Sequence, residues 1–520
     1  MKKAISLLVV VLLSFACVFA SGQKDTAAAT PVSSAPKAGG TLVIASITDP
    51  SVVNLYELRG PVLVLDTLWE SLMVMDETGT PQPFLAKSVV GDPANLTYTI
   101  TLNEGILFHD GSELTGEVCK WNLEMYKEHG VLSSSFLGKV ESIEAPDKYT
   151  CVVHLSEWDP FLPNNMARSN GCGYMTSKLA YDTYGWDYLI THPVSTAPFS
   201  FVSYTKDDNI ELVKFKDYWR GEPLLDAVTL DFYSEMVVAQ AALEKGDAHI
   251  LFGTATDQNS YLEALGYKVV KTAIPSNCYT ICMDTTDESD PLYNLKLRQA
   301  VAYAINNVEI SEAIFGNDAI PSNQYSWPGE ATYNSDVPWE YNPEKAKQLL
   351  AEAGYPNGFS TVLHSIAYPP YADICQMVQE DLAKVGIKVE IDNTDGAGYA
   401  ANINGWGKGL FIHPMSLANG VPAQLAANFR HGLKSGIGLT TLTRTDEMNE
   451  LVLQGLVQSG TEMTETFKKL QGIIFGDLCQ IRAITCYCAT SVISPVLMDS
   501  NFGTVSTSKD STLYQAWLNK

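Results

Sequence analysis

Apolar and polar residues alternate in the early part of this chain and later repeat at a longer period. In "LTYTITLNEGILFHDG", residues 96–111, Tyr98, Ile100 and Leu102 share one side of an extended segment and Asn103 to Gly105 close it, as in a half-buried strand and its turn. "GGTLVIASI" from Gly39 is a β-rich run that starts the fold. From about Tyr293 the period becomes helical: "LKLRQAVAYAIN" places Leu297, Val301, Ala304 and Ile305 on one face. "NPEKAKQLLAEAG" predicts a helix capped by Asn342, opened by Pro343, with Ala346, Leu349, Leu350 and Ala353 inward and Gly354 at its end. A further helix, Tyr371 to Val385, turns Ile374, Met377, Val378 and Leu382 inward. It exits at Gly386 into a strand alternating Ile387, Val389 and Ile391. Helix, glycine exit and strand form the α/β unit of a wound sheet.

The N-terminus breaks both patterns. "MKKAISLLVVVLLSFACVFA" carries Lys2 and Lys3, an apolar run from Ala4 to Phe15 and then small residues, which predicts an export signal over 1–20. Two exits are open: cleavage after Ala20, or lipid attachment at Cys17. Ser14 stands where a lipoprotein box usually has leucine, which favours cleavage. Residues 21–38, rich in Ala, Ser, Thr and Pro, have no apolar period and read as a disordered tether. The remaining chain is long enough for roughly three domain equivalents of about 150 residues. It has no later apolar run of membrane-spanning length and no internal repeat.

The formal charge is −25, and signal cleavage would remove two lysines more. Phosphate backbones and anionic membrane surfaces are bound mainly by clustered Lys and Arg, so a nucleic-acid partner is excluded. Beyond Cys17 lie Cys119, Cys151, Cys172, Cys278, Cys282, Cys375, Cys479, Cys486 and Cys488, an odd number, several within apolar runs such as "ITCYCAT". They read mostly as reduced, small buried hydrophobes.

The chain has no HExxH, no G-x-S-x-G, no phosphate loop and no dinucleotide fingerprint. Its eight histidines are scattered, so neither a metal nor a cofactor is expected. His109 beside Asp110 is the one pair that invites a catalytic reading. Its surroundings favour a turn: Asp110-Gly111 bends the chain, and Thr115 can cap a helix starting near Gly116, with Glu117 in its first turn.

"FHDGSELTGEVCKW" resembles the signature of extracytoplasmic solute-binding proteins of the peptide/nickel type. So do "PQPFLAKSVV", "STAPFSFVSYTKDDNIELVKFKDYWRGEPLLDAVTL", "ALEKGDAHI", "LYNLKLRQAVAYAIN" and "YNPEKAKQLLAEAGYPNGF", in the family's order along most of the chain. The resemblance implies an α/β fold of the type II periplasmic-binding-protein class. Two hinged lobes carry an extra inserted domain, with residues 39–75, 190–280 and 485–520 in lobe I, 76–189 in the insertion and 281–484 in lobe II. It implies capture of a solute by lobe closure, without catalysis, by a monomer that delivers to the membrane subunits of an ABC importer.

Departures from the family pattern are Val118 in place of an aspartate at a helix start, Ser195-Thr196-Ala197 in place of a glycine-bearing turn, and His249 in place of an aspartate. Peptide-binding relatives often carry an acid after the strand near Phe411, to pair with the peptide's amino group. From Asn402 to Asn428 this chain has no Asp or Glu. An unpaired ammonium in a dry cleft costs several kcal/mol, so the gap argues against ordinary peptides unless Asp284 or another acid substitutes. Trp406, Phe411, His413, Met415 and Asn419, with Tyr56 after the first strand, are the candidate ligand contacts. Packing is the alternative reading for Trp406 and His413. Stacking faces with neutral polar groups suit an oligosaccharide or a chelated metal as well as a short peptide. Two competing readings stay open: a secreted hydrolase on the same scaffold, and a sensory or adhesive surface protein.

Overall fold

The computed structural model describes residues 35–51, 53–56, 62–76, 78–130, 136–167, 171–254, 256–367, 369–417, 420–432, 437–500, 502 and 513–520. The signal segment, Cys17, most of the tether and Asn419 lie outside the described residues. The architecture belongs to Lys37–Lys520, one unit of the chain.

Two sheets dominate it. The first has seven strands in the order Lys268–Lys271, Thr490–Ile493, Ile250–Phe252, Thr41–Ser46, Ala227–Phe232, Asn209–Lys214 and Phe199–Thr205. Thr41–Ser46 lies near its centre, parallel to Ala227–Phe232 and Ile250–Phe252, and Leu42 and Ile44 are fully buried. The helix Met236–Lys245 links two of the parallel strands and ends at Gly246, whose φ of 85° is the left-handed cap that glycine adopts without strain.

The second sheet has six strands in the order Ala319–Pro321, Ile481–Tyr487, Asn277–Met283, Leu410–Ser416, Ser360–Ile366 and Lys388–Thr394. Its helices follow the patterning closely. Asn342 accepts from the Lys345 amide at 2.9 Å to cap Pro343–Glu352, and Ala346, Leu349 and Leu350 are buried. Tyr371–Ala383 buries Ile374, Val378 and Leu382, with Met377 partly buried against the same core.

A four-stranded antiparallel sheet, Ala86–Asp92, Thr97–Leu102, Thr150–Leu155 and Val140–Asp147, carries the helix Gly116–His129. Tyr98, Ile100 and Leu102 are buried, as their alternation predicts. Its core is continuous with that of the first sheet, since Leu42, Ile44, Phe108 and Cys119 belong to one apolar cluster. The second sheet has its own. The nine cysteines beyond Cys17 are free, eight buried and Cys488 half-buried.

The chain passes between the two large sheets at Lys271 to Asn277 and again at Tyr487 to Thr490. The two passes run side by side, with the Thr272 amide donating to the Ala489 carbonyl at 3.0 Å and the Ser276 amide to the Tyr487 carbonyl at 2.9 Å.

Candidate functional site

In open α/β sheets, ligands gather outside the carboxyl ends of the parallel strands, where the connecting loops diverge. Here the carboxyl ends of Thr41–Ser46 and Ile250–Phe252 point toward the two passes. So do those of Ser360–Ile366 and Ile481–Tyr487 from the other sheet. Between them is a cavity of about 720 Å³, within the range of small-ligand sites. Ile47, Met236, Gly253 and Thr254 line it from the side of the first sheet; Tyr279, Phe315, Pro369, Asp373 and Tyr487 line it from the side of the second. The rings form a continuous wall, with Tyr279 stacked on Phe315 at 5.3 Å and Phe315 against Tyr487 at 5.1 Å.

Beside the cavity the two lobes share a polar cluster. Asp318 accepts from Lys271 at 2.9 Å and from Asn259 at 2.8 Å. Asn259 also donates to Thr490 at 3.0 Å, and the Thr490 hydroxyl donates to the Thr254 carbonyl at 3.0 Å. Asp318 is buried, and the lysine and amide answer the desolvation of its carboxylate.

The residues singled out in the sequence lie elsewhere. Tyr56 is buried in the first core, its ring 5.0 Å from Tyr126 and stacked on Trp186 at 5.7 Å. Trp406, Phe411 and His413 are brought together, but as an internal stack. Trp406 lies on Phe411 at 5.2 Å and Phe411 on His413 at 5.6 Å. The Trp406 indole donates to the Gly409 carbonyl at 3.2 Å. Phe411 is fully buried, and Met415 accepts from Gln424 at 2.9 Å and Asn428 at 3.2 Å through its sulfur. His413 is half-buried against Tyr399, whose hydroxyl is 3.2 Å from Nδ1, and burial pushes its pKa down to about 4. The reason is register: Phe411, His413 and Met415 alternate on one face of an inner strand, and that face is covered by helices. None of these side chains lines the cavity.

Asp284 is not among the residues that line the cavity. It follows the far end of Asn277–Met283, where it is buried and accepts from the amides of Thr286 at 2.7 Å and Asp287 at 3.2 Å. The acid at the cavity is Asp373, in the first turn of Tyr371–Ala383. Sequence reasoning missed it together with Tyr279, Phe315 and Tyr487. The signal available for Asp373 was its place just after the strand Ser360–Ile366, in the connection that opens a parallel βαβ unit.

His109 is a turn residue. Its Nε2 donates to the Ala197 carbonyl at 2.8 Å and its Nδ1 accepts from the Ser195 amide at 3.4 Å. Asp110 accepts from the amide and hydroxyl of Ser112 and from Ser177. Burial pushes the His109 pKa down to about 4, and both nitrogens are held by backbone, so no base faces a nucleophile there. Among the described residues, no group of three or more His, Cys, Asp or Glu side chains is arranged to hold a metal, and no helix is long and apolar enough to cross a membrane.

Comparison with known proteins agrees with this architecture. The chain is 32% identical over 350 residues to the glutathione-binding protein GsiB of Pectobacterium atrosepticum, covering 66% of this chain and 67% of that protein. It is 31% identical, over the same length and shares, to GsiB of Escherichia coli O157:H7. Its fold is similar to that of DppA from Helicobacter pylori in complex with the peptide STSA. The TM-score is 0.73 at 24% identity, covering 93% of this chain and 99% of that one. HbpA2 from Haemophilus parasuis superposes with a TM-score of 0.80 at 19% identity, covering 92% and 100%. DppA is described as an ABC transporter-associated periplasmic binding protein. The model of the bacterial extracellular solute-binding proteins, family 5 (middle region), matches residues 80–436, more than half of the sequence. The chain belongs to this family, whose members are the substrate-binding, non-enzymatic components of ABC importers.

Proposed function

We propose that the chain captures a small solute in the cavity between its two large sheets and passes it unchanged to the membrane subunits of an importer. The observation that supports this reading is the cavity itself, about 720 Å³ and lined from both lobes where the chain crosses between them. A guest there touches both walls only when the lobes are together, so binding favours the closed form by the difference in contacts. The contact residues in this reading are Thr254, Tyr279, Phe315, Asp373 and Tyr487. Trp406, Phe411 and Met415 support the wall from within, and His413 with Tyr399 braces Tyr371, which meets Tyr279 edge to face at 5.8 Å.

Solutes of short-peptide size are placed ahead of oligosaccharides and chelated metals. Relatives are named for glutathione, and the Helicobacter pylori structure holds a peptide. The aromatic and apolar lining also suits side chains better than hydroxyl-rich rings. The protein acts as a monomer, on the outer side of the cytoplasmic membrane as its periplasmic homologues do, after cleavage at Ala20 or lipidation at Cys17. Intact mass of the membrane and soluble fractions separates those two routes.

Native mass spectrometry of the freshly purified protein, followed by thermal shifts with the solute it carries, tests the capture reading. A solute at about 100 times its dissociation constant stabilises by roughly 2.7 kcal/mol. Tyr279→Ala and Tyr487→Ala should each weaken that shift. Recovery of a chemically altered solute, or undiminished shifts in both variants, would refute the assignment.

A further inference from the structure

Resting on the capture reading, the geometry points to one class of solute. We propose an amine-bearing, largely apolar molecule without a free carboxylate, its cationic nitrogen held by Asp373 and the aromatic wall of Tyr279, Phe315 and Tyr487. Besides the aromatic wall, Ile47, Met236, Ile314, Pro369 and Pro370 are apolar lining residues. Asp373 is the charged side chain among the described lining residues, and no Lys, Arg or His accompanies it.

Three arginines packed around the second sheet are engaged elsewhere. The guanidinium of Arg482, fully buried, donates to the carbonyls of Ala302 and Ala483 and to Asn307. Arg298 donates to the carbonyls of Leu292, Tyr293 and Leu478. Arg444 donates to those of Asn428, Ile437 and Leu442. Lys271, at the crossing, is paired with Asp318. A carboxylate entering this cavity would therefore lose water and gain no counter-charge from the described lining residues.

A helix N-terminus can attract an anion by itself. Here Asp373 already places one in the first turn of Tyr371–Ala383, so the dipole stabilises this carboxylate instead of a guest's. Asp373 is exposed and has no hydrogen bond or ion pair within the described residues. Stacked aromatic faces beside an unpaired carboxylate suit an ammonium group, which gains from the negative ring faces and the charge together. The net charge of −25 draws cations toward the protein at long range.

The test uses the mature chain and four probes in titration calorimetry: leucyl-phenylalanine amide, the free-acid dipeptide, its N-acetyl derivative, and glutathione. The amide should bind about tenfold or more tighter than the acetylated peptide and glutathione, with the zwitterion between them. Asp373→Asn should cost the amide about tenfold and lower the melting temperature of the unliganded protein only slightly, by the lost dipole interaction. Binding of the acetylated peptide or glutathione as tight as the amide, or full amide affinity in the Asp373→Asn variant, overturns the proposal. Small-angle scattering on the same samples separates the two levels. Contraction with an anionic probe sinks the solute class and leaves capture by closure standing. No contraction with any of the four sinks both.

Discussion

Glu70 shows how a single buried group sets a pH dependence. Its carboxylate accepts from the Tyr218 hydroxyl at 2.6 Å, the Thr196 hydroxyl at 2.8 Å and the Trp219 indole at 3.0 Å. Burial nevertheless dominates and pushes its pKa up to about 7 from the usual 4.5. The folded state then binds the additional proton between those values, so this contribution to stability falls as pH rises from about 4.5 to about 7. Glu70→Gln should remove about 3 kcal/mol of that fall, read as the difference between urea unfolding free energies at pH 4.5 and pH 7.5. His109 acts in the opposite direction. Its pKa is depressed to about 4 from 6.5, so stability is full above the higher value and is lost as pH falls toward the lower one. His109→Ala should cost about 1–3 kcal/mol at pH 7.5 through the two lost backbone bonds, and less at pH 5, with solute affinity unchanged. The departures at Ser195 and His249 have a physical account at this scale. The Ser195 hydroxyl donates to the Leu68 carbonyl at 2.6 Å and accepts from the Ala197 amide at 3.1 Å. The Nδ1 of His249 accepts from the Val43 amide at 3.0 Å.

Among the elements, the helix Gly116–His129 depends on its first residue. A Cβ at Gly116 would lie 2.3 Å from the Thr150 carbonyl oxygen and 2.9 Å from that of Asp147, both backbone atoms of the neighbouring strands. Alanine is worth up to about 1 kcal/mol over glycine inside a helix, but in this first turn the clash is larger. Gly116→Ala should therefore destabilise by about 1–3 kcal/mol, seen as a lower thermal midpoint. The cap itself was legible: Thr115 accepts from the Val118 amide at 3.4 Å, and Val118 offers no reciprocal bond. The strand Leu410–Ser416 was the harder case. Its apolar run indicated a strand near the ligand, yet which of its faces turns inward depends on its partners, Asn277–Met283 on one side and Ser360–Ile366 on the other.

At the scale of the whole molecule, the segment after the strand Thr150–Leu155 reaches across to the core of the second sheet. Arg430 pairs with Glu157 at 2.8 Å and Phe161 lies 6.4 Å from Phe467. In the capture reading such contacts are lost when the lobes separate, so they favour the closed form independently of any solute. Glu157 is half exposed, and water screens the pair, which limits its worth to about 1 kcal/mol or less. Arg430→Gln should therefore weaken solute binding by no more than about fivefold, and the difference should vanish in high salt. An unchanged affinity at low salt would mean that the pair does not bias closure.

The sequence by itself determined the elements and the class. Strand alternation at Tyr98, Ile100 and Leu102, the capped helix from Pro343 and the ordered blocks around "FHDG" depend on local spacing, which survives in any tertiary context. It also separated His109 from catalysis, because a turn is written in adjacent residues. What only the tertiary structure decided is which residues line the cavity between the sheets. Tyr279, Asp373 and Tyr487 are far apart in the chain and meet because the carboxyl ends of separate strands converge where it crosses between two sheets. An aromatic side chain on an inner strand has the same local pattern whether it faces a ligand or a covering helix. That choice is made by the packing of the sheet, which sent Phe411 inward and left Asp373 at the opening.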